Sequence, residues 1–140
     1  MAGKERKTEP FSIRLSLATD ALVAEEARRS DRSRSAVVEE LASEAAKMRL
    51  FPGVAFRGRP RRAWIIGTGL DVWEAIELLR AFEGDVAQIL EGYPFLAERH
   101  LRLAEAYAER FPDEIERRLE ENRRPLEELR ELYPFLGFGD

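Results

Sequence analysis

Phe11-Ser12-Ile13-Arg14-Leu15-Ser16-Leu17-Ala18-Thr19-Asp20 is the stretch that decides the fold. Its first six residues alternate strictly, with Phe11, Ile13 and Leu15 apolar and Ser12, Arg14 and Ser16 polar. A period of two marks a strand with one buried face. Thr19 and Asp20 then offer helix N-caps, and Leu22, Val23 and Ala27 continue as an apolar stripe to about Arg29. Ser30-Asp31-Arg32-Ser33 has the composition of a turn. A second helix is expected from Ser33 or Ser35 to about Leu50, with Val37, Val38, Leu41, Ala45 and Met48 at helical spacing. Pro52-Gly53 stops it.

A strand this short is not stable alone in water. A strand followed by two helices therefore calls for a partner, and the economical partner is a second copy of the chain. Two strands then pair antiparallel, four helices enclose the apolar faces, and the polar side chains of the ribbon share one exposed surface. A two-stranded ribbon fits the major groove of B-DNA.

Upstream, residues 1–10 are polar, charged and closed by Pro10, which predicts a flexible basic arm. Downstream, Val54-Ala55-Phe56 and Ala63-Trp64-Ile65-Ile66 predict two short strands around the basic turn Arg57–Arg62. Asp71 is placed to cap a helix through about Phe82, and Gly84-Asp85 to start a short one through Leu90. Gly92-Tyr93-Pro94 ends that helix. Further helices are expected from about Ala97 to Arg110, with Leu101, Ala104 and Tyr107 or Ala108 inward, and from Pro112 to about Asn122. A last one is expected from Pro125 through Leu132. Tyr93-Pro94-Phe95-Leu96 recurs as Tyr133-Pro134-Phe135-Leu136, but in different surroundings, so it does not define a repeat.

Charge divides the chain. Residues 1–62 carry 14 Lys and Arg against 9 Asp and Glu, whereas residues 63–140 carry 9 against 18. The basic part suits a nucleic-acid partner and the acidic part does not. The chain has no cysteine and one histidine, so disulfides and cysteine metal sites are excluded. No nucleophile and base stand at recognisable spacing, and the sequence predicts no enzyme, no metal site and no cofactor. Gly67-Thr68-Gly69 lacks the Gly-Lys-Ser/Thr ending of a P-loop and the spacing of a dinucleotide fingerprint. Asp113, Glu114 and Glu116 are acidic residues at a helix start, where the dipole favours them. No apolar run approaches the roughly 20 residues that cross a bilayer, and Met1–Lys7 lacks the apolar stretch of a signal peptide. The expectation is a soluble, cytoplasmic protein with no membrane partner.

Residues 11–50 resemble the ribbon-helix-helix regulators, a group that includes plasmid copy-control proteins and antitoxins. The resemblance rests on FSIRLSL, on TDALVAEEARRSD and on the junction RSRSAVVEEL. It implies that the outward strand residues Ser12, Arg14 and Ser16 contact bases. Arg14 is the strongest of the three, because a guanidinium forms two hydrogen bonds with guanine. It implies also that Ser33, Arg34 and Ser35 anchor a DNA phosphate at the start of the second helix, where open backbone amides and the helix dipole attract anions. Lys4, Arg6 and Lys7 would add nonspecific phosphate contacts. The plainer reading makes Arg14 a solvated residue and Ser33 or Ser35 a helix cap; capping does not exclude phosphate binding.

Residues 54–122 resemble the family catalogued as domain of unknown function 433, a small helix-turn-helix domain of bacterial antitoxin-like proteins. IIGTGLDVWEAIELL, DVAQILEGYPFL and LAEAYAERFPDEI carry this resemblance. That family usually has Gly-Thr-Arg where this chain has Gly67-Thr68-Gly69, which removes one positive charge. The resemblance implies a first motif helix at 85–91, a turn from Gly92 to Leu96 and a candidate recognition helix at 97–110. That helix offers Arg99, His100 and Arg102 among Glu98, Glu105 and Glu109. Its acidic surroundings favour dimerisation or protein binding over DNA reading.

The expected fold class is mainly α: a dimeric ribbon-helix-helix of one strand and two helices, then a small helical helix-turn-helix-like domain that starts with two short strands. The expected boundaries are an arm at 1–10, the first domain at 11–51, the second at 54–122 and a C-terminal helix and apolar tail at 123–140. In that tail Arg123, Arg124, Leu126, Leu129, Arg130, Leu132, Tyr133, Phe135, Leu136 and Phe138 are the expected partner-binding residues. The resemblances imply a toxin partner, a small PIN-like nuclease with a carboxylate-rich site. Packing of the tail onto its own chain is the alternative. The function expected is a DNA-binding antitoxin that represses its own operon; the alternative is a dimeric regulator without a toxin.

Overall fold

A computed structural model describes residues 6–123, and among these there are six helices and one two-stranded antiparallel sheet. They divide into two compact units, Met1–Ser43 and Glu44–Asp140.

In the first unit, residues 6–16 belong to neither helix nor strand. The strand expected at 11–16 is not formed in the single chain, where the segment has no neighbouring strand to pair with. Helix α1 spans Leu17–Ser30. Its N-cap is Ser16, in extended conformation, whose hydroxyl accepts from the Thr19 amide at 3.1 Å. This corrects the expectation of Thr19 or Asp20: both lie within the first turn, and the residue just before the turn is the one able to reach its open amides. Asp31 closes α1 in the left-handed region (φ 52°), a conformation Asp tolerates. Helix α2 spans Arg34–Leu50, and Ser33 accepts from the Ala36 amide at 3.1 Å. Val23 and Val37 are the two buried apolar residues described in this unit. Of the expected α2 face, Val38 is half-buried, while Leu41, Ala45 and Met48 are exposed.

The boundary between units falls inside α2 rather than at Phe51. The reason is visible at the end of that helix. The Glu44 carboxylate takes two hydrogen bonds from Arg61, at 2.8 and 2.9 Å. Lys47 lies 3.5 Å from Glu114 and over the Phe111 ring. Phe51 meets Tyr107 edge-on, with ring centres 5.3 Å apart. The last two turns of α2 thus share the chemistry of the second unit.

That unit opens with β1 (Val54–Arg57) and β2 (Arg62–Ile65), paired in the register Val54–Ile65, Ala55–Trp64, Phe56–Ala63 and Arg57–Arg62. Gly53 before β1 has φ +107°, and a Cβ there would lie 2.9 Å from Leu103, so the turn requires glycine. Four helices follow: α3 (Val72–Ala81), α4 (Val86–Gly92), α5 (Glu98–Arg110) and α6 (Pro112–Asn122). Helix α3 packs against β2, α4, α5 and α6. Buried Val54, Ile65, Val72, Ile89, Leu101 and Tyr107 belong to one continuous core. Among the described residues, no helix is long and apolar enough to cross a membrane.

Candidate nucleic-acid interface

Three of the nine expected DNA-contact residues meet at the start of α2. Arg14, Arg34 and Ser35 line one concavity of about 570 Å³, together with Ile13, Leu15, Asp20, Val38 and Glu39. One of the three base-reading candidates, Arg14, and two of the three phosphate-anchor candidates at the helix start therefore share a surface although twenty residues of sequence separate Arg14 from Arg34. Ser12 and Arg14 are exposed, as are Ser33, Arg34 and Ser35. Ser33 has its hydroxyl on the Ala36 amide, so it serves the helix directly.

Two of the expected contacts are placed differently from a freely presented side chain. Ser16 accepts from the Thr19 amide and donates to the Thr19 hydroxyl at 3.0 Å, so its oxygen is committed to the cap. Arg34 is ion-paired with Asp20. Lys7 lies 3.9 Å from Glu39, Arg6 is exposed, and Lys4 falls outside the described residues. The carboxylates of Asp20 and Glu39 are thus part of this surface; in the sequence Asp20 is marked only as a helix cap and Glu39 not at all. Fourteen residues separate Asp20 from Arg34, and only the crossing of the two helices brings them together.

Helices α4 and α5 in the second unit stand where the helix-turn-helix resemblance expects them. Two of the three expected α5 residues, His100 and Arg102, are engaged within the helix. Arg102 binds Glu98 at 3.3 Å and Glu105 at 2.8 Å, both on its own helix. The His100 Nδ1 accepts from the Ala97 amide at 2.9 Å, capping α5. Its pKa is lowered, first by desolvation and then by the Arg99 charge, which suits an imidazole that must stay neutral to accept. No family model, no curated protein and no solved structure matches the chain.

The basic hairpin is also internally paired. Arg57 and Arg62 face each other across the strands, an arrangement that repels when uncompensated. The buried carboxylate of Asp71 joins them: Arg57 Nε donates at 3.0 Å, Arg62 Nε at 2.7 Å and Trp73 Nε1 at 3.1 Å. Arg57 also stacks on Trp64. Thr68 of the Gly-Thr-Gly segment is buried, donating to the Ile65 carbonyl at 2.8 Å and accepting from the Leu70 amide at 3.0 Å. That segment is a pinned turn. Burial, then the Glu114 and Glu44 carboxylates, raises the Tyr107 pKa well above its ordinary value and holds the phenol neutral.

Of the expected partner-binding residues, Arg123 is exposed and lies 4.0 Å from Glu120. Arg124, Leu126, Leu129, Arg130, Leu132, Tyr133, Phe135, Leu136 and Phe138 lie outside the described residues.

Proposed function

We propose that the chain is a dimeric, DNA-binding repressor of the ribbon-helix-helix type, acting as an autorepressing antitoxin. One observation carries the DNA-binding part: the first unit exposes the apolar side chains that such a dimer would bury. Phe11 is 80% exposed, Ile13 61%, Leu17 90%, Leu22 67% and Leu41 45%. Exposed apolar surface on this scale marks an interaction face. Were 11–15 paired as a strand in a dimer, its alternation would put Arg14 on the side opposite Phe11 and Ile13, and pairing through the apolar side would leave Arg14 for the groove.

In this reading Arg14 contacts a base, Ser12 adds a shorter contact, and the start of α2 holds a phosphate through its open amides, Ser35 and Arg34. Ser16 serves as the cap of α1. The internal pairing of Arg102 on α5 and of Arg57 and Arg62 on the hairpin supports a second unit that works on proteins rather than on DNA. The toxin half of the proposal rests on the apolar, arginine-bearing sequence 123–140 and on a PIN-like nuclease as partner. A repressor without a toxin is the second reading, favoured by a second unit that already closes on its own core.

The test is retardation of the DNA upstream of the chain's own reading frame, combined with co-purification of the product of the adjacent frame. The proposal expects sequence-selective retardation that weakens with salt, and a copurifying nuclease released by deletion of 123–140. Retardation without a copurifying partner favours the second reading. Absence of retardation at low salt rejects both.

A further inference from the structure

The concavity at the start of α2 carries its own counter-charges. Two cations line it, Arg14 and Arg34, and so do two carboxylates, Asp20 and Glu39. Asp20 holds Arg34. Glu39 faces Lys7 more loosely, at 3.9 Å, with both side chains largely exposed. The first amides of a helix and its dipole attract an anion to this end. An anion arriving there meets a guanidinium that a carboxylate of the same chain already occupies.

We propose that Asp20 is an affinity-setting residue that stands in for phosphate: it holds Arg34 in the free chain and yields it to the DNA backbone on binding. This inference rests on the DNA-binding reading. Exposed ion pairs are weak and exchange readily, so the swap is open to DNA. It has a cost all the same, because the released carboxylate then lies beside a phosphate. It also has a distinctive salt signature. A cation that neutralises one phosphate steepens the log–log salt dependence by about 0.9. Where the cation leaves a carboxylate beside the same phosphate, the local negative charge is restored and much of the counterion stays on the DNA. Arg34 therefore contributes little to the salt slope while Asp20 is present.

The experiment is binding of the full chain to a mixed-sequence DNA duplex, by fluorescence anisotropy, between about 50 and 200 mM salt. Asp20→Asn is expected to tighten binding about fivefold at the low-salt end and to steepen the slope by about 0.9 per chain. Asp20→Glu keeps the charge and stays near the parent. Glu39→Gln tightens binding less than Asp20→Asn does. The gain disappears in the Asp20→Asn, Arg34→Gln double variant. Arg34→Gln alone leaves the parent slope nearly unchanged, and this arm stands even where Asp20→Asn fails to fold. Parent binding with no gain in Asp20→Asn, or a slope shallower by a full counterion per chain in Arg34→Gln, overturns the inference and leaves the DNA reading intact. Failure of both the parent and Asp20→Asn to bind duplex DNA overturns the DNA reading, and the inference with it.

Discussion

The two units bury apolar residues to different extents, although both leave some exposed, Met48, Leu50, Ile66 and Phe95 in the second. In Glu44–Asp140, thirteen buried residues form one cluster, with aromatic rings from Phe51, Tyr107 and Phe111 closing one side of it. In Met1–Ser43, Val23 and Val37 are the buried apolar residues, while Phe11, Ile13, Leu17, Leu22 and Leu41 face solvent. At about 25 cal/mol per Å² of apolar surface buried, the second unit has a core to offset its chain entropy and the first does not. Under the proposed dimer, the first unit would draw its stability from a partner, whereas the second closes on its own contacts.

The comparison breaks most easily at the interface. Leu22→Asp places a charge on the exposed apolar face. It is expected to convert the chain to a monomer and to melt α1 and the first part of α2, as read by sedimentation and circular dichroism. A Leu22→Asp chain that keeps both its mass and its helix content would show that this face is not the interface. Next in size, Leu101→Ala opens the second unit's core and should cost about 2–5 kcal/mol. Trp64 and Trp73, the only tryptophans, both lie in that unit. Their fluorescence therefore follows its denaturation alone. Its midpoint should not move with chain concentration, whereas the circular dichroism of the first unit should.

The smallest expected effect concerns His100. Desolvation, then Arg99, lowers its pKa, and the neutral ring caps α5. Its contribution to stability is therefore complete above the ordinary imidazole value of about 6.5. It fades as pH falls below that value and through the lowered one. The chain has one histidine, so its ring proton signals in a magnetic-resonance titration are unambiguous. A midpoint below 6.5 fits the cap, and one at or above it does not.

Much of the fold was legible in the sequence because local signals agreed. The bounds of α4, α5 and α6, the hairpin and the inward face Leu101, Ala104 and Tyr107 all follow from caps, turns and helical period. The first unit was harder for a physical reason. Ser16 satisfies both a period of two and an N-cap, and only the backbone shows that its hydroxyl serves the cap. Leu41 fits the apolar period of α2 but is exposed in the single chain, since burial depends on what lies opposite. Local pattern carried no sign of Asp20 beside Arg34 either, because a salt bridge between helices depends on how they cross.

The central claim is that this chain reads DNA with the segment 11–16 of a dimer. Arg14→Ala tests it most directly, through affinity for the DNA upstream of the chain's own reading frame, with dimer mass measured on the same sample. The account predicts an intact dimer whose sequence-selective binding weakens by about 1–3 kcal/mol. An intact Arg14→Ala dimer that binds that DNA as tightly and as selectively as the parent would contradict it.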